Sequence, residues 1–288
     1  MLGIVILNYN TWNESIDCVQ SIIKHTRTPF KIYLVDNNSP KKATEPELDR
    51  LKDLNVELVY NKENSGYAAG NNVGLKKAYI DGCDFFLISN SDVLIFDDSI
   101  DKIYNFAYSH KGIGVVGPLI YDLKGTRQPI YMLSKLTALG KIKNMMLKTP
   151  LNFLLKKFEK SFIMYEEPEQ PLKVFSVSGC CFLITRDCYE RVFPFDEHTF
   201  LYEEEYILGC KLEDKGIDAF ILPNAKIIHS EAVSTGGMNE FSYRCLIDSE
   251  QYYLKEYIHS PYFTRYLMKS IRRMNWHFLY KKKSKSSG

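Results

Sequence analysis

Long apolar stretches are missing from this sequence. No segment approaches the ~18 uncharged residues that a membrane-spanning helix needs, and the apolar run at 2–7 stops at Asn8 with no basic residue before it. That run is too short for a secretory signal, so the expected location is cytoplasmic, with any membrane contact peripheral on the inner face of the plasma membrane. Cysteine is present but unpatterned: positions 18, 83, 180, 181, 188, 210 and 245 form no CxxC or zinc-like spacing, which leaves reduced core thiols. Proline and glycine are scarce, 11 and 16 of 288 residues, and 45% of the chain is apolar, so neither a fibrous repeat nor a disordered chain fits. One large domain, or one with an appendage, suits the length.

Two segments lack acids. Residues 265–288 hold eight Lys/Arg and no acid, and residues 124–160 hold nine Lys/Arg against one acid. With these two +8 blocks set apart from the formal total of +2, the remainder carries −14. The small total conceals an acidic body and two basic patches, and such a body argues against nucleic acid as a partner. From 253 to 285 aromatics interleave with cations, a mix suited to an anionic membrane surface or to a docking helix with a solvated basic end. The 124–160 stretch reads as an excursion from the main fold, either a lid or a second surface-docking element.

Across the first 120 residues strand-like and helix-like patterns alternate, which predicts an α/β fold with a mostly parallel sheet flanked by helices. Strands are predicted at 3–7, 31–35, 56–60, 84–89 and 112–122, with helices capped by Thr11 or Asn13 and over 66–79. Further on, 174–185 reads as one strand, 202–215 as a helix opened by three glutamates, and 218–222 and 226–229 as two short strands. Beyond 237 the pattern is helical, up to a disordered tail at 281–288.

Asn8-Tyr9-Asn10, Asp36-Asn37-Asn38, Asn64-Ser65-Gly66-Tyr67, Asn71-Asn72 and Asn90-Ser91-Asp92 all fall just after or between strands. Such residues make turns and caps. Five clusters on one sheet edge exceed that need and suggest a site for a polar, phosphate-bearing ligand at the carboxyl ends of the strands. Asp92 is either a helix cap or a ligand for Mg²⁺ or Mn²⁺, which take one or two carboxylates plus substrate phosphate oxygens. His229, ending a short strand, is structural or a second ligand. Glu203-Glu204-Glu205 suits the positive end of a helix. Successive helical residues point about 100° apart, so at least one of the three faces inward, where a carboxylate is a candidate general base.

In their order and spacing, VILNYN (5–10), LVDNNS (34–39), NSGYAAGNNVG (64–74), NSDV (90–93), SGCCFLITRDCYERVFPFDEHTFLYEEE (178–205) and IIHSEAVSTG (227–236) resemble the inverting family 2 glycosyltransferases. Among them the likeness is to the bacterial rhamnosyltransferase-like branch of surface-polysaccharide assembly. The resemblance covers about residues 3–240. It implies a GT-A type nucleotide-diphospho-sugar transferase fold with a mixed, mostly parallel sheet. A nucleotide-sugar half (1–122), a variable basic insertion (123–173) and an acceptor half (174–240) would precede a C-terminal helical extension (241–288).

The same resemblance implies roles. Asp36 would accept from the N3–H of a uracil or thymine ring, with Asn8 and Asn10 lining the nucleotide pocket and Asn64, Gly66 and Asn71 bordering base and sugar. Asp92 would be the last acid of a DxD-like element, whose first acid is here Asn90, and with His229 would hold Mg²⁺ or Mn²⁺ against the donor diphosphate. Glu204 and Glu205 occupy the place of a Glu-Asp pair in which the second acid is usually the base; Glu205 is one methylene longer than Asp, so the choice between them is open.

The implied reaction is inverting transfer from a UDP- or dTDP-sugar, dTDP-rhamnose among them, to a hydroxyl of a polyprenyl-linked or growing saccharide in capsule, O-antigen or exopolysaccharide synthesis. A sugar-1-phosphate nucleotidyltransferase would want a glycine- and arginine-rich phosphate loop after the first strand, which Asn8-Tyr9-Asn10 is not. A decayed, non-catalytic nucleotide-sugar or glycan binder is the other alternative, and the joint presence of Asp36, Asp92, Glu204, Glu205 and His229 weighs against it.

Overall fold

A computed structural model of the chain describes residues 1–147, 163–230 and 238–277. Strand β1 (Leu2–Asn8) lies near the middle of a sheet and is apolar on both faces, as a strand covered on both sides must be. It pairs in parallel with β2 (Phe30–Asp36) and β4 (Phe85–Asn90), and β2 pairs in parallel with β3 (Val56–Tyr60). The intervening helices α1 (Trp12–His25), a short α2 (Glu45–Asp49) and α3 (Gly66–Ile80) complete this half. On α1, Trp12, Ile16, Val19 and Ile22 form the buried stripe that the periodicity predicts. Thr11 stands at the N-cap, but its hydroxyl contacts Asn8 Oδ1 (3.2 Å) and Ser91 Oγ (2.9 Å) in place of the helix end.

The second half adds β5 (Val93–Ile95), α4 (Ser99–Ser109), β6 (Ile113–Tyr121), α5 (Ala138–Leu147), β7 (Leu172–Val174), β8 (Cys181–Thr185), α6 (Arg186–Val192), α7 (Glu204–Lys215) and β9 (Asp218–His229). Helices α8 (Glu240–Glu256) and α9 (Tyr262–Asn275) follow. The sheet order is β3-β2-β1-β4-β8-β6-β9-β5, with β7 on β9. It is mixed: β8 runs against β4 and β6, while β9 is parallel to β6. The C-terminal ends of β1, β2, β4, β6 and β9 therefore share one edge.

Three segments depart from expectation. The apolar run at 174–185 splits, because β7 pairs with β9 while β8 sits between β4 and β6, and Phe175 and Ser176 between them both donate to the Met132 carbonyl. The stretches 218–222 and 226–229 fuse into one 12-residue strand, whose irregularity is absorbed by a register shift opposite Pro118 and Leu119. The helix expected from 202 begins at Glu204, since Tyr202 and Glu203 hold left-handed φ values of 75° and 72°. The basic stretch contains α5, and the expected tail at 281–288 lies outside the described residues.

Apolar cores fill both faces of the sheet. A third cluster, with Leu136, Tyr206, Ile207, Tyr253, Leu254 and Met268, joins α5, α7, α8 and α9. All seven cysteines are free and six are buried, as expected of core thiols. No helix among the described residues is long and apolar enough to cross a membrane.

Candidate active site

The shared strand edge opens into a cleft of about 600 Å³ bordered by Tyr9, Asn37, Asn64, Gly66, Tyr67 and Asn90 on the sheet side and by Phe200, Leu201 and the start of α8 opposite. Asn8, expected to line the nucleotide pocket, lies between the lining residues Leu7 and Tyr9 but does not itself border the cleft. Its side chain is fully buried, donates to Asp36 Oδ1 (2.9 Å) and Ser39 Oγ (3.2 Å), and accepts from the Thr11 amide and from the Thr11 and Ser15 hydroxyls. With its amide group so committed, Asn8 ties the ends of β1 and β2 to α1. Asn10, at φ 62°, accepts from the Lys41 amide and fixes the loop beyond β2.

Asp36 is 1% exposed and half satisfied. Its Oδ1 accepts from Asn8 and from the Ser39 amide and hydroxyl, whereas Oδ2 has no hydrogen-bond partner among the described residues and faces Lys42 Nζ only at 3.8 Å. A buried carboxylate oxygen in that state is costly unless a ligand supplies a donor.

The next residues carry the edge across to the second half of the chain. Asn37 donates to Asn64 Oδ1 (2.8 Å) and to the Gly66 carbonyl (3.0 Å). At Gly66, with φ +92°, a Cβ would stand 2.2 Å from the Phe200 carbonyl oxygen, which is bonded to the Tyr67 amide at 2.9 Å. Glycine is required here for an approach to the 200–202 loop, not by the cleft itself. Asn71 is buried below, donating to the Tyr67 carbonyl, and its Oδ1 has no partner among the described residues.

Asp92 follows β4, and the antiparallel pairing of Val93 with His229 brings the two side chains together: His229 Nε2 is 3.2 Å from Asp92 Oδ1. One carboxylate and one imidazole suit a hard or borderline divalent cation that completes its shell with substrate phosphates and water. Among the described residues no group of three or more His, Cys, Asp or Glu forms a closed metal cage. The Asp92–His229 pair alone is therefore a partial donor set, which fits a cation only where other ligands come from outside the protein. Asn90 lines the cleft beside it, its backbone N–H donating to the Cys180 carbonyl at 2.7 Å.

The three glutamates diverge. Glu203, at the N-cap of α7, turns away to the buried ammonium of Lys141, 2.8 and 2.7 Å from its two carboxylate oxygens. Glu204 is buried, with Oε1 unpartnered among the described residues; burial first, and then the charge of Glu205, push its carboxyl well above the ordinary range. Glu205 is partly exposed and accepts from the Gly179 amide at 3.2 Å. Burial raises its pKa as well, against stabilisation of the ionised form by its own amide and that of Gly179.

Sequence reasoning does not single out Tyr9, Asn37, Tyr67, Phe200 and Leu201 within the clusters and motifs it marks, and it passes over Asn239, Phe241 and Ser242. The last three sit at the start of a helix whose pattern gives no sign that its N-terminus meets the cleft.

Known proteins resemble this chain in sequence and in fold. The pattern of "Glycosyl transferase family 2" matches residues 3–193. The N-acetylglucosaminyl-diphospho-decaprenol L-rhamnosyltransferase of Mycobacterium tuberculosis is 27% identical over 247 residues, 82% of this chain and 78% of that protein. The O-antigen biosynthesis protein RfbC of Myxococcus xanthus is 24% identical over 223 residues, 75% of this chain but 16% of its own length. Among solved structures, GalNAc-T7 with UDP, GalNAc and Mn²⁺ superposes with a TM-score of 0.61 at 16% identity, covering 87% of this chain and 47% of the other. Staphylococcus aureus TarS 1-349 with UDP-GlcNAc gives 0.55 at 15% identity, with 86% and 65% covered. The chain thus spans about half of the first structure and about two thirds of the second. The fold is that of the GT-A glycosyltransferases, and with two thirds of its length matched the chain belongs to glycosyltransferase family 2.

Proposed function

We propose that this glycosyltransferase moves a sugar, with inversion, from a UDP- or dTDP-sugar to a hydroxyl of a lipid-linked or growing saccharide in surface-polysaccharide synthesis. The observation that carries the reading is the buried, unpartnered Oδ2 of Asp36, next in the chain to Asn37, which borders the cleft: an acceptor waiting for a ring N–H of the kind that uracil and thymine present at N3. The activity for which the mycobacterial relative is named supports L-rhamnose as the sugar and a diphospho-polyprenol acceptor. The transferase body would run over 1–240 in the halves set out above, with 241–288 as its extension.

In this mechanism the base of the nucleotide rests on Asp36, and the Asn37–Asn64–Gly66 hydrogen bonds hold the wall along which the sugar lies. Asp92 and His229 would hold Mg²⁺ or Mn²⁺ at the diphosphate. When bound, that ion offsets charge developing on the leaving phosphate. The acceptor oxygen attacks the anomeric carbon as the bond to the diphosphate breaks, the electron pair leaves with the nucleoside diphosphate, and the acceptor proton passes to Glu205. The Gly179 amide keeps Glu205 the more readily ionised of the two adjacent acids. Glu204, buried beside it and facing its charge, holds its proton more firmly. A base must lie about 2.6–3.2 Å from the hydroxyl it deprotonates.

Thermal shifts with UDP-, dTDP- and GDP-sugars in Mn²⁺ test the donor class, since a ligand stabilises according to its occupancy above Kd. UDP or dTDP compounds should stabilise the protein and GDP compounds should not. In Asp36→Ala the preferred donor should lose roughly 10- to 100-fold in affinity, the worth of a hydrogen bond to a charged group. A GDP preference, or an unaffected Asp36→Ala, overturns the assignment. Asp92→Ala should weaken UDP binding in Mn²⁺ yet leave it unchanged in EDTA, as calorimetry can measure. Equal affinities for wild type and variant in both buffers would remove Asp92 from the metal site.

A further inference from the structure

Helix α9 is amphipathic with its larger apolar residues on the outside. Its inner side is fixed to the protein: Met268 is fully buried, Arg272 Nε and Nη2 donate to the Glu250 carboxylate at 3.0 and 2.7 Å, and the Tyr243 hydroxyl donates to the Arg272 carbonyl at 2.8 Å. The opposite side carries Tyr262, Phe263, Tyr266, Leu267 and Met274, exposed by 73%, 74%, 59%, 41% and 56%. At about 100° per residue these five fall within an arc of roughly 140°. Arg265, Lys269 and Arg273 follow one another at four-residue steps and form a cationic row along one border of that arc.

Monomeric proteins scatter exposed apolar side chains singly, and a contiguous set marks a binding surface. We propose that this face of α9 docks the protein on an anionic lipid membrane. The choice of occupant rests on charge. The last acid in the chain is Glu256, and from 257 to 288 there are eight Lys/Arg and none of opposite sign. A second copy would set two such cationic segments against each other. An anionic bilayer offers headgroup charge for the cations and an interface into which tyrosine, phenylalanine and leucine insert.

The second basic block meets the first on this side of the molecule. Helix α5 packs against α9, and its Lys141 Nζ lies 3.9 Å from the Glu250 carboxylate that holds Arg272. Residues 253 and 254, at the start of the stretch whose sequence suits either a membrane surface or a docking helix, are fully buried, so the surface starts at Tyr262. Helix α8, on which α9 rests, begins with the residues that border the cleft. Docking through α9 therefore brings the cleft close to the bilayer, a position suited to a lipid-linked acceptor. The docking itself does not depend on the donor or base assigned above.

Flotation of the full chain with phosphatidylglycerol vesicles and with phosphatidylcholine vesicles tests the proposal. The protein should float with the anionic vesicles at low salt, detach as salt rises, and remain behind with neutral ones. The triple change Arg265→Gln, Lys269→Gln and Arg273→Gln should lower partitioning by roughly 100-fold, at ~1 kcal/mol per cation near an anionic surface. Phe263→Glu with Tyr266→Glu should abolish flotation. Both variants should melt and bind UDP as wild type does, because the altered side chains are away from the cleft and outside the core. Loss of UDP binding in wild type as well would count against the donor reading and leave the docking result intact. Absence of flotation at low salt, undiminished flotation of both variants, or self-association that Phe263→Glu removes in place of vesicle binding would each overturn the proposal.

Discussion

Glu205→Gln lowers turnover by about 10²–10⁴-fold, the usual contribution of a positioned general base, and leaves donor affinity unchanged. The amide keeps the size of the side chain and can still accept from Gly179, so the fold of the 178–205 region is preserved while the group that takes the acceptor proton is lost. Release of nucleoside diphosphate from the donor, with and without acceptor, measures this. Burial raises the Glu205 pKa above its ordinary 4.5. Below the raised value the base is protonated and turnover falls, so the acid limb of the wild-type profile should lie above pH 4.5 and disappear in the variant. Glu204→Gln is the necessary comparison. Its oxygen is buried without a partner, and a neutral amide there should disturb turnover less. Should Glu204→Gln show the larger loss with the acid limb gone, the base is Glu204.

The parallel half of the fold was legible because β1, β2 and β4 are mostly apolar runs of 7, 7 and 6 residues separated by helices of ordinary length, and such strands must carry both buried faces in their own composition. Strand β5 was not, since three residues offer no period and Val93–Ile95 is fixed by pairing with β9. The run at 174–185 and the pair at 218–229 were misjudged for a related reason: an apolar segment does not announce which neighbour each part will meet. Within the site, residues at strand ends could be located because topology collects those ends on one edge. Their individual duties could not be read. Asn8 and Asp36 look alike in sequence, yet one spends its polar atoms on protein partners and the other keeps an oxygen in reserve. Glu203 is the extreme case, because its partner Lys141 lies 62 positions away within a stretch that reads as a surface excursion.

That pairing leads to the largest expected effect on stability. Lys141→Met should destabilise the protein by about 3–5 kcal/mol, the cost of leaving buried charge uncompensated. The ammonium is 5% exposed and lies between the carboxylates of Glu203 and Glu250, themselves 4% and 0% exposed. Burial already raises the Glu203 pKa, with Lys141 the chief opposing influence, so removing the cation raises it further. An acid whose folded pKa exceeds its unfolded value binds protons more tightly when folded, and stability is lost as pH rises from the unfolded toward the folded pKa. The deficit of Lys141→Met in urea unfolding should therefore be larger at about pH 8 than at about pH 5. Adding Glu203→Gln should recover part of it, because the uncompensated charge goes too. The consequence reaches the base. Tyr202 and Glu203 both hold left-handed backbone, a conformation costing of order 1–3 kcal/mol per non-glycine residue, and the ion pair fastens that turn one residue before Glu204. Once released, the turn can relax and carry Glu205 from the Gly179 amide, so turnover should fall even at temperatures where the variant remains folded. Unchanged unfolding of Lys141→Met would show that the pair does not hold the turn.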